Sequence, residues 1–269
     1  MPDARHPNAS PPPVSAWLQN GFHAFLKPYL RRHFHCVGLH REGFDPRSID
    51  DGQPVIVYGN HPSWWDPLIA HYLNSSLFRD RQFHAPIDAA ALRQYRVFEK
   101  LGFYGVDLRS TTGSATFLRT SMAILNAGDT TLWITPEGRF CDARDHAAPL
   151  MPGLAHLCTK LDRGWIVPLA LEYPFWDERL PLCVARFGTP LDVRNGTDWD
   201  KPRWNDTLTE HFRVNQRRLA DGVIAREPSQ IDPLMIGSVG AGAFYDTMRR
   251  FRSWITRSSF RASHGEHFQ

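Results

Sequence analysis

Cysteine is scarce in this sequence. There are four among 269 residues, Cys36, Cys141, Cys158 and Cys183, and no two stand at a spacing typical of a zinc site or a disulfide framework. They read as reduced thiols of a cytosolic compartment. Long apolar runs are missing too: none approaches the roughly 18–20 residues that a membrane span needs, and the N-terminus has no apolar segment of the secretory kind. A large excess of one charge is also absent. Lys and Arg number 31 against 28 Asp and Glu, for a net charge of +3. Without a basic cluster across its body or a nucleic-acid-binding motif, the chain is not expected to bind nucleic acid. No internal repeat or linker divides it. What remains is ordinary globular composition, 42% hydrophobic and 22% charged, enough for one large domain with additions.

The charge that is present gathers at the two ends. Residues 14–41 carry Lys27, Arg31, Arg32 and Arg41 with no acid, and residues 244–262 carry five arginines with Asp246. Trp17, Leu18, Phe22, Phe25, Leu26 and Tyr29 recur at helical spacing near one end, as do Phe244, Met248, Phe251 and Ile255 near the other. A basic helix with an aromatic stripe suits a membrane interface, although the same stripe also suits packing on a core. The expected organisation is a disordered tail over 1–13, an amphipathic helix over 14–34, the main domain over 35–230 and a basic amphipathic segment over 231–269. The expected location is cytoplasmic, peripheral on the inner face of a membrane.

Between the ends, strand-like and helix-like segments alternate. Strands are expected at Val55–Tyr58, Gln82–Ile87, Phe103–Leu108, Thr131–Thr135, Ile166–Glu172 and Leu182–Phe187. Helices are expected at Pro62–Leu73, Ala90–Leu101, Ser114–Asn126, Gly153–Leu161 and Asp206–Ala225. Such alternation implies an α/β fold with a mixed, largely parallel sheet flanked by helices.

Chemistry is concentrated in Asn60-His61-Pro62-Ser63-Trp64-Trp65-Asp66. A carboxylate on one imidazole nitrogen fixes the tautomer and stabilises the imidazolium, which makes the histidine a ready general base. With 13 His and 20 Asp in the chain, roughly one His-x4-Asp pair is expected by chance, and a second one, His40 to Asp45, does occur. Context separates them. His61 follows an apolar run and precedes a proline, which places it at a strand-to-helix turn, where α/β proteins build sites. His40 lies in a polar stretch after no clear strand and reads as incidental. Three further segments end in chemistry-bearing residues: Gly102 to Arg109, whose guanidinium suits a phosphate or carboxylate; Pro136-Glu137-Gly138-Arg139, a turn with an acid, a glycine and an anion-binding side chain; and Val167-Pro168, a proline in a buried strand, which points to an edge, a bulge or a passage for substrate.

In this order the segments resemble the glycerol-3-phosphate and lysophosphatidate acyltransferase family. Asn60, His61 and Asp66 match its Asn-His-x4-Asp motif. Arg109 matches loosely the arginine that ends its second motif, and Pro136, Glu137 and Gly138 match its third. Val167-Pro168 matches the fourth, and Pro152-Gly153-Leu154-Ala155 resembles the segment after the third. The likeness covers about residues 35–192. It departs from the pattern in two places: the third motif usually reads Pro-Glu-Gly-Thr-Arg, whereas Arg139 comes one position early, and the second motif is one residue longer. The family uses these arginines on the acceptor's phosphate, so a neutral acceptor such as a glycolipid stands beside a phosphate-bearing one.

The resemblance implies transfer of a fatty acyl group from acyl-CoA or acyl carrier protein to a lipid hydroxyl. His61 and Asp66 are then catalytic, while Asn60, Arg109, Pro136, Glu137, Gly138 and Arg139 bind substrate. No metal or bound cofactor is implied, and the expected partners are the acyl carrier, a lipid acceptor and the membrane surface. Three rivals follow from the residues themselves. A serine hydrolase lacks a Gly-x-Ser-x-Gly elbow, but water in place of the alcohol would give a thioesterase. Metal chemistry on His61, Asp66, His71 and His84 lacks a recognised ligand spacing. A non-catalytic scaffold would be expected to lose the dyad.

Overall fold

The computed structural model describes residues 10–49, 52–78, 80–107 and 110–238. The expected C-terminal helix and Arg109 lie outside them. The described elements, in chain order, are α1 (Ala16–His33), β1 (Cys36–His40), β2 (Val55–Gly59), α2 (Asp66–Leu77), β3 (Gln82–Asp88), α3 (Ala89–Gln94), β4 (Phe103–Val106), α4 (Thr111–Asn126), β5 (Thr130–Ile134), α5 (Gly153–Cys158), β6 (Trp165–Glu172), β7 (Leu182–Phe187), β8 (Leu191–Asp192), α6 (Lys201–Ala225) and β9 (Ile231–Ile236). The strands form one nine-stranded sheet in the order β4-β3-β5-β2-β6-β7-β1-β9, with β8 paired beside β6. Pairing is parallel from β4 through β6 and between β1 and β7. It is antiparallel for β6–β7, β6–β8 and β1–β9. The chain is therefore an α/β protein with a mixed, mostly parallel sheet between helices, as its alternating segments predict.

Side-chain alternation explains the layers. Along β2, Val55 and Val57 enter one core with Ile69, Leu73 and Leu77 of α2 and Leu26 and Leu30 of α1. Ile56 and Tyr58 enter the other, with Ile124 of α4, Leu154 of α5 and Trp204, Leu208 and Phe212 of α6. A strand buried on both faces reads as an unbroken apolar run, which is what a central parallel strand requires.

Several boundaries differ from the sequence expectation for identifiable reasons. α2 begins at Asp66 instead of Pro62, because residues 61–65 form a turn folded over the Asp66 carboxylate. α4 begins at Thr111, where the Ser110 hydroxyl accepts from the Gly113 N–H at 3.0 Å and caps the helix. The expected helix over Ala90–Leu101 breaks at Tyr95 into α3 and a 3₁₀ turn, Arg96–Leu101, that ends at left-handed Gly102. His40 does end a strand, β1, and β9 extends the sheet into the segment assigned to a terminal addition. Pro168 costs the sheet little. Its carbonyl faces Gly188 (2.8 Å) on the side where the neighbour of β6 changes from β8 to β7, so the β2–β6 ladder loses no N–H there.

Candidate active site

His61 follows the C-terminal end of β2, in the middle of the sheet, and Asp66 opens α2. The His61 Nδ1 lies 2.6 Å from Asp66 Oδ2. A carboxylate only accepts, so the shared proton belongs to Nδ1 and the lone pair to Nε2. Among the described residues Nε2 has no hydrogen-bond partner, and the side chain is 20% exposed against 5% for that of Asp66. The base therefore faces outward and its aspartate inward. Asp66 also receives the Ser63 N–H on Oδ2 (3.0 Å) and the Tyr173 hydroxyl on Oδ1 (2.6 Å). Its place in the first turn of a helix favours the negative charge further.

Two structures hold this turn. Asn60 is 2% exposed, and its amide is used in both directions on Leu171 of β6: Nδ2 donates to the carbonyl at 2.9 Å and Oδ1 accepts the N–H at 2.8 Å. On the other side the His61 carbonyl accepts from the Cys141 N–H (3.1 Å), and the Phe140 ring stacks on the imidazole with centroids 4.2 Å apart. Phe140 and Cys141 follow Pro136-Glu137-Gly138-Arg139 in the loop between β5 and α5. Gly138 there has φ +65, and a Cβ on it would run into the Met151 sulfur. Glu137 is 5% exposed. Its Oε1 accepts from Arg213 of α6 at 2.9 Å, and that guanidinium also reaches Gln216 and the carbonyls of Asp145 and Ala148. Arg144, three residues past Cys141, is bound at 2.8 and 3.2 Å to Glu172.

The expected residues thus divide. His61 and Asp66 meet, with the third-motif loop beside them. Arg139 is exposed on that loop. Asn60 and Glu137, expected to touch substrate, sit behind the turn and tie it to β6 and α6. Pro136 is buried, and its carbonyl accepts from the Met151 N–H (2.7 Å). His40 and Asp45 do not meet: Asp45 pairs with Arg47 at 2.8 Å, and neither ring nitrogen of buried His40 has a partner. His71 packs against Phe22, Phe83 and Phe103 with neither nitrogen hydrogen-bonded. No group of three His, Cys, Asp or Glu side chains converges on a point among the described residues. Sequence reasoning missed Tyr173, Phe140 and Arg213. Phe140 was the nearest to view, as the residue after Arg139. Arg213 shares the buried side of α6 with Trp204, Leu208 and Phe212, where a charge needs a partner.

A search of curated proteins returns no match. The Acyltransferase family model matches residues 38–172, half of the 269-residue chain. The matched span runs from β1 through the end of β6 and takes in the His61–Asp66 pair and the loop after β5. By that match this chain belongs to the Acyltransferase family.

Proposed function

We propose that the protein moves a fatty acyl group from an acyl thioester, acyl-CoA or acyl carrier protein, to the hydroxyl of a lysophospholipid, glycerol phosphate or related lipid, with His61 as general base. The observation that carries this reading is the 2.6 Å contact of His61 Nδ1 with Asp66, which leaves Nε2 open at the surface. Nε2 takes the proton of the acceptor hydroxyl as its oxygen attacks the thioester carbonyl. The tetrahedral intermediate expels the thiolate, which takes the proton back from Nε2, leaving ester and thiol. Asp66 keeps its contact with Nδ1 and stabilises the imidazolium while it exists. In the turn after His61, the N–H groups of Ser63, Trp65 and Asp66 are already bonded. That of Trp64 is the donor left for the developing oxyanion. Trp64 and Phe140, 64% and 59% exposed, give the mouth an apolar surface suited to an acyl chain.

A neutral acceptor, such as a glycolipid, is the second reading, and Phe140 favours it. An uncharged ring covers the imidazole, while Arg144 and Arg213 are engaged by Glu172 and Glu137. The protein would work on a membrane, with the exposed face of α1 against it.

The test is turnover of one labelled acyl-CoA and one labelled acyl carrier protein by the purified chain, over a panel of phosphate-bearing and neutral acceptors, with products identified by mass. His61→Ala is expected to lower kcat by about 10²–10⁴-fold with its fold intact. Undiminished turnover by that variant would sink the assignment. Release of free fatty acid that no acceptor diverts would make the enzyme a thioesterase instead.

A further inference from the structure

We propose that Tyr173 is a positioning residue of the dyad: by donating its hydroxyl to Asp66 Oδ1, it fixes the plane of the carboxylate so that Oδ2 faces His61 Nδ1. This rests on the reading of His61 as the general base.

A carboxylate turns easily about its terminal bond, where the torsional preference is broad. Contacts on Oδ2 alone, from His61 and the Ser63 N–H, leave that rotation weakly restrained. The bond from Tyr173 to Oδ1 at 2.6 Å supplies the restraint from the opposite side, across 107 residues of sequence. Burial, with Cys183 and the Asp66 charge beside it, pushes the phenol well above its ordinary range, so it stays a donor at any working pH.

The anchor on which Tyr173 stands is itself fixed. It follows β6 directly, and the two preceding residues are held from different directions. The Leu171 backbone is gripped by Asn60 and the Glu172 carboxylate by Arg144. Three successive residues at the end of β6 therefore meet the residue before His61, the loop that brings Phe140, and Asp66. Tyr173 lies one residue beyond the family match at 38–172, so the match says nothing of it.

A buried tyrosine hydroxyl needs a partner somewhere, and one that is merely satisfied would leave the carboxylate in place when removed. The two roles separate through His61. Without the Tyr173 hydrogen bond a carboxylate that needs positioning turns from Nδ1 and holds the imidazolium less well, whereas one that stays in place regains negative charge and holds it better. The experiment is histidine-selective NMR of the full-length protein, with the His61 signals identified by their loss in His61→Ala. In Tyr173→Phe the His61 titration midpoint is expected to fall by about half a pH unit, and the acidic limb of kcat/KM to follow it. In an Asp66→Asn background the Phe substitution is expected to shift nothing further. Turnover of the acyl-CoA and acceptor pair found active in the panel is expected to fall roughly three- to tenfold, in kcat more than in KM. An unchanged or raised His61 midpoint in folded Tyr173→Phe overturns the proposal. Should Tyr173→Phe fail to fold, 4-fluorophenylalanine placed at 173 fills the space of the hydroxyl without donating. It should lower the midpoint, and no change or a rise overturns the proposal equally. The NMR readout needs no substrate. Normal turnover by His61→Ala would therefore refute the reaction while the midpoints still decide the role of Tyr173.

Discussion

Asp66 and Glu137 are both buried carboxylates, and their partners give them different work. Asp66 faces an imidazole that can gain and lose a proton and whose far nitrogen is open. Glu137 faces Arg213, a permanent cation whose side chain is 6% exposed. Breaking such a pair from one side leaves an uncompensated buried charge. Glu137→Ala should therefore destabilise the fold by about 3–5 kcal/mol in urea unfolding. Pairing Glu137→Leu with Arg213→Met should restore most of that loss, since apolar side chains of similar volume often replace a buried ion pair at little cost. Wild-type stability in Glu137→Ala, with a raised KM for substrate, would return Glu137 to the substrate-binding role its place in the motif implies. At this scale the dyad was legible because both members lie within one turn, on types that only work together. The partner of Glu137 stands 76 residues away and that of Asp66 Oδ1 stands 107 away. No local pattern joins them, and only the packing of α6 and β6 onto the turn does.

Helix α1 packs one face on the core and leaves the other exposed. Leu18, Phe22, Leu26 and Leu30 pack on the core at four-residue intervals. Trp17 and Phe25, 80% and 57% exposed, turn outward together with Lys27, Arg31 and Arg32. Ring contacts run on from Phe25 through Tyr29 and Trp65 to Trp64, beside the dyad. An aromatic and basic face continuous with the mouth of the site is suited to an anionic bilayer. Replacing Trp17 and Phe25 by serine should weaken sedimentation with vesicles containing phosphatidylglycerol by at least about tenfold, given 1.5–3 kcal/mol per buried aromatic side chain. Binding to these vesicles should also fall as salt rises. Equal sedimentation of variant and wild type would place the membrane contact elsewhere. The elements most legible in the sequence were those rich in apolar residues, β2, β5, β6 and β7. β1 and β9 were not, and for one shared reason. Gly38 and Pro233 interrupt their patterns, yet they face each other across a bulge at the sheet edge. A Cβ at Gly38 would meet Ile231 Cγ2 at 2.6 Å, so the glycine is required by its partner. β9 lies at the edge, which tolerates the missing N–H of Pro233.

The molecule as a whole encloses histidines whose burial opposes a proton. His71 and His84 are almost wholly buried, and burial pushes them down to about 3 and about 4. Burial also lowers His23 and His40. All four begin from an ordinary value of 6.5. Below it the unfolded chain binds protons that the folded chain refuses, so stability falls as pH falls. The loss starts near 6.5 and for His71 continues to about pH 3, where the folded protein begins to accept the proton as well. Each fully coupled histidine removes up to about 1.4 kcal/mol per pH unit within its window. Two such groups, over two units, approach the 5–15 kcal/mol that holds a typical domain together. Urea midpoints should therefore drop steadily from pH 7 to pH 4.5, with an unfolding slope in urea that stays constant. His71 sits among Phe22, Phe83 and Phe103 with both nitrogens unbonded, so His71→Phe removes a titrating group without removing a hydrogen bond. That variant should be flatter in acid and no weaker at pH 7 beyond the roughly 1–3 kcal/mol that a larger ring costs in a packed core. A variant as acid-sensitive as wild type would mean that other groups drive acid unfolding and that the His71 cavity admits the proton.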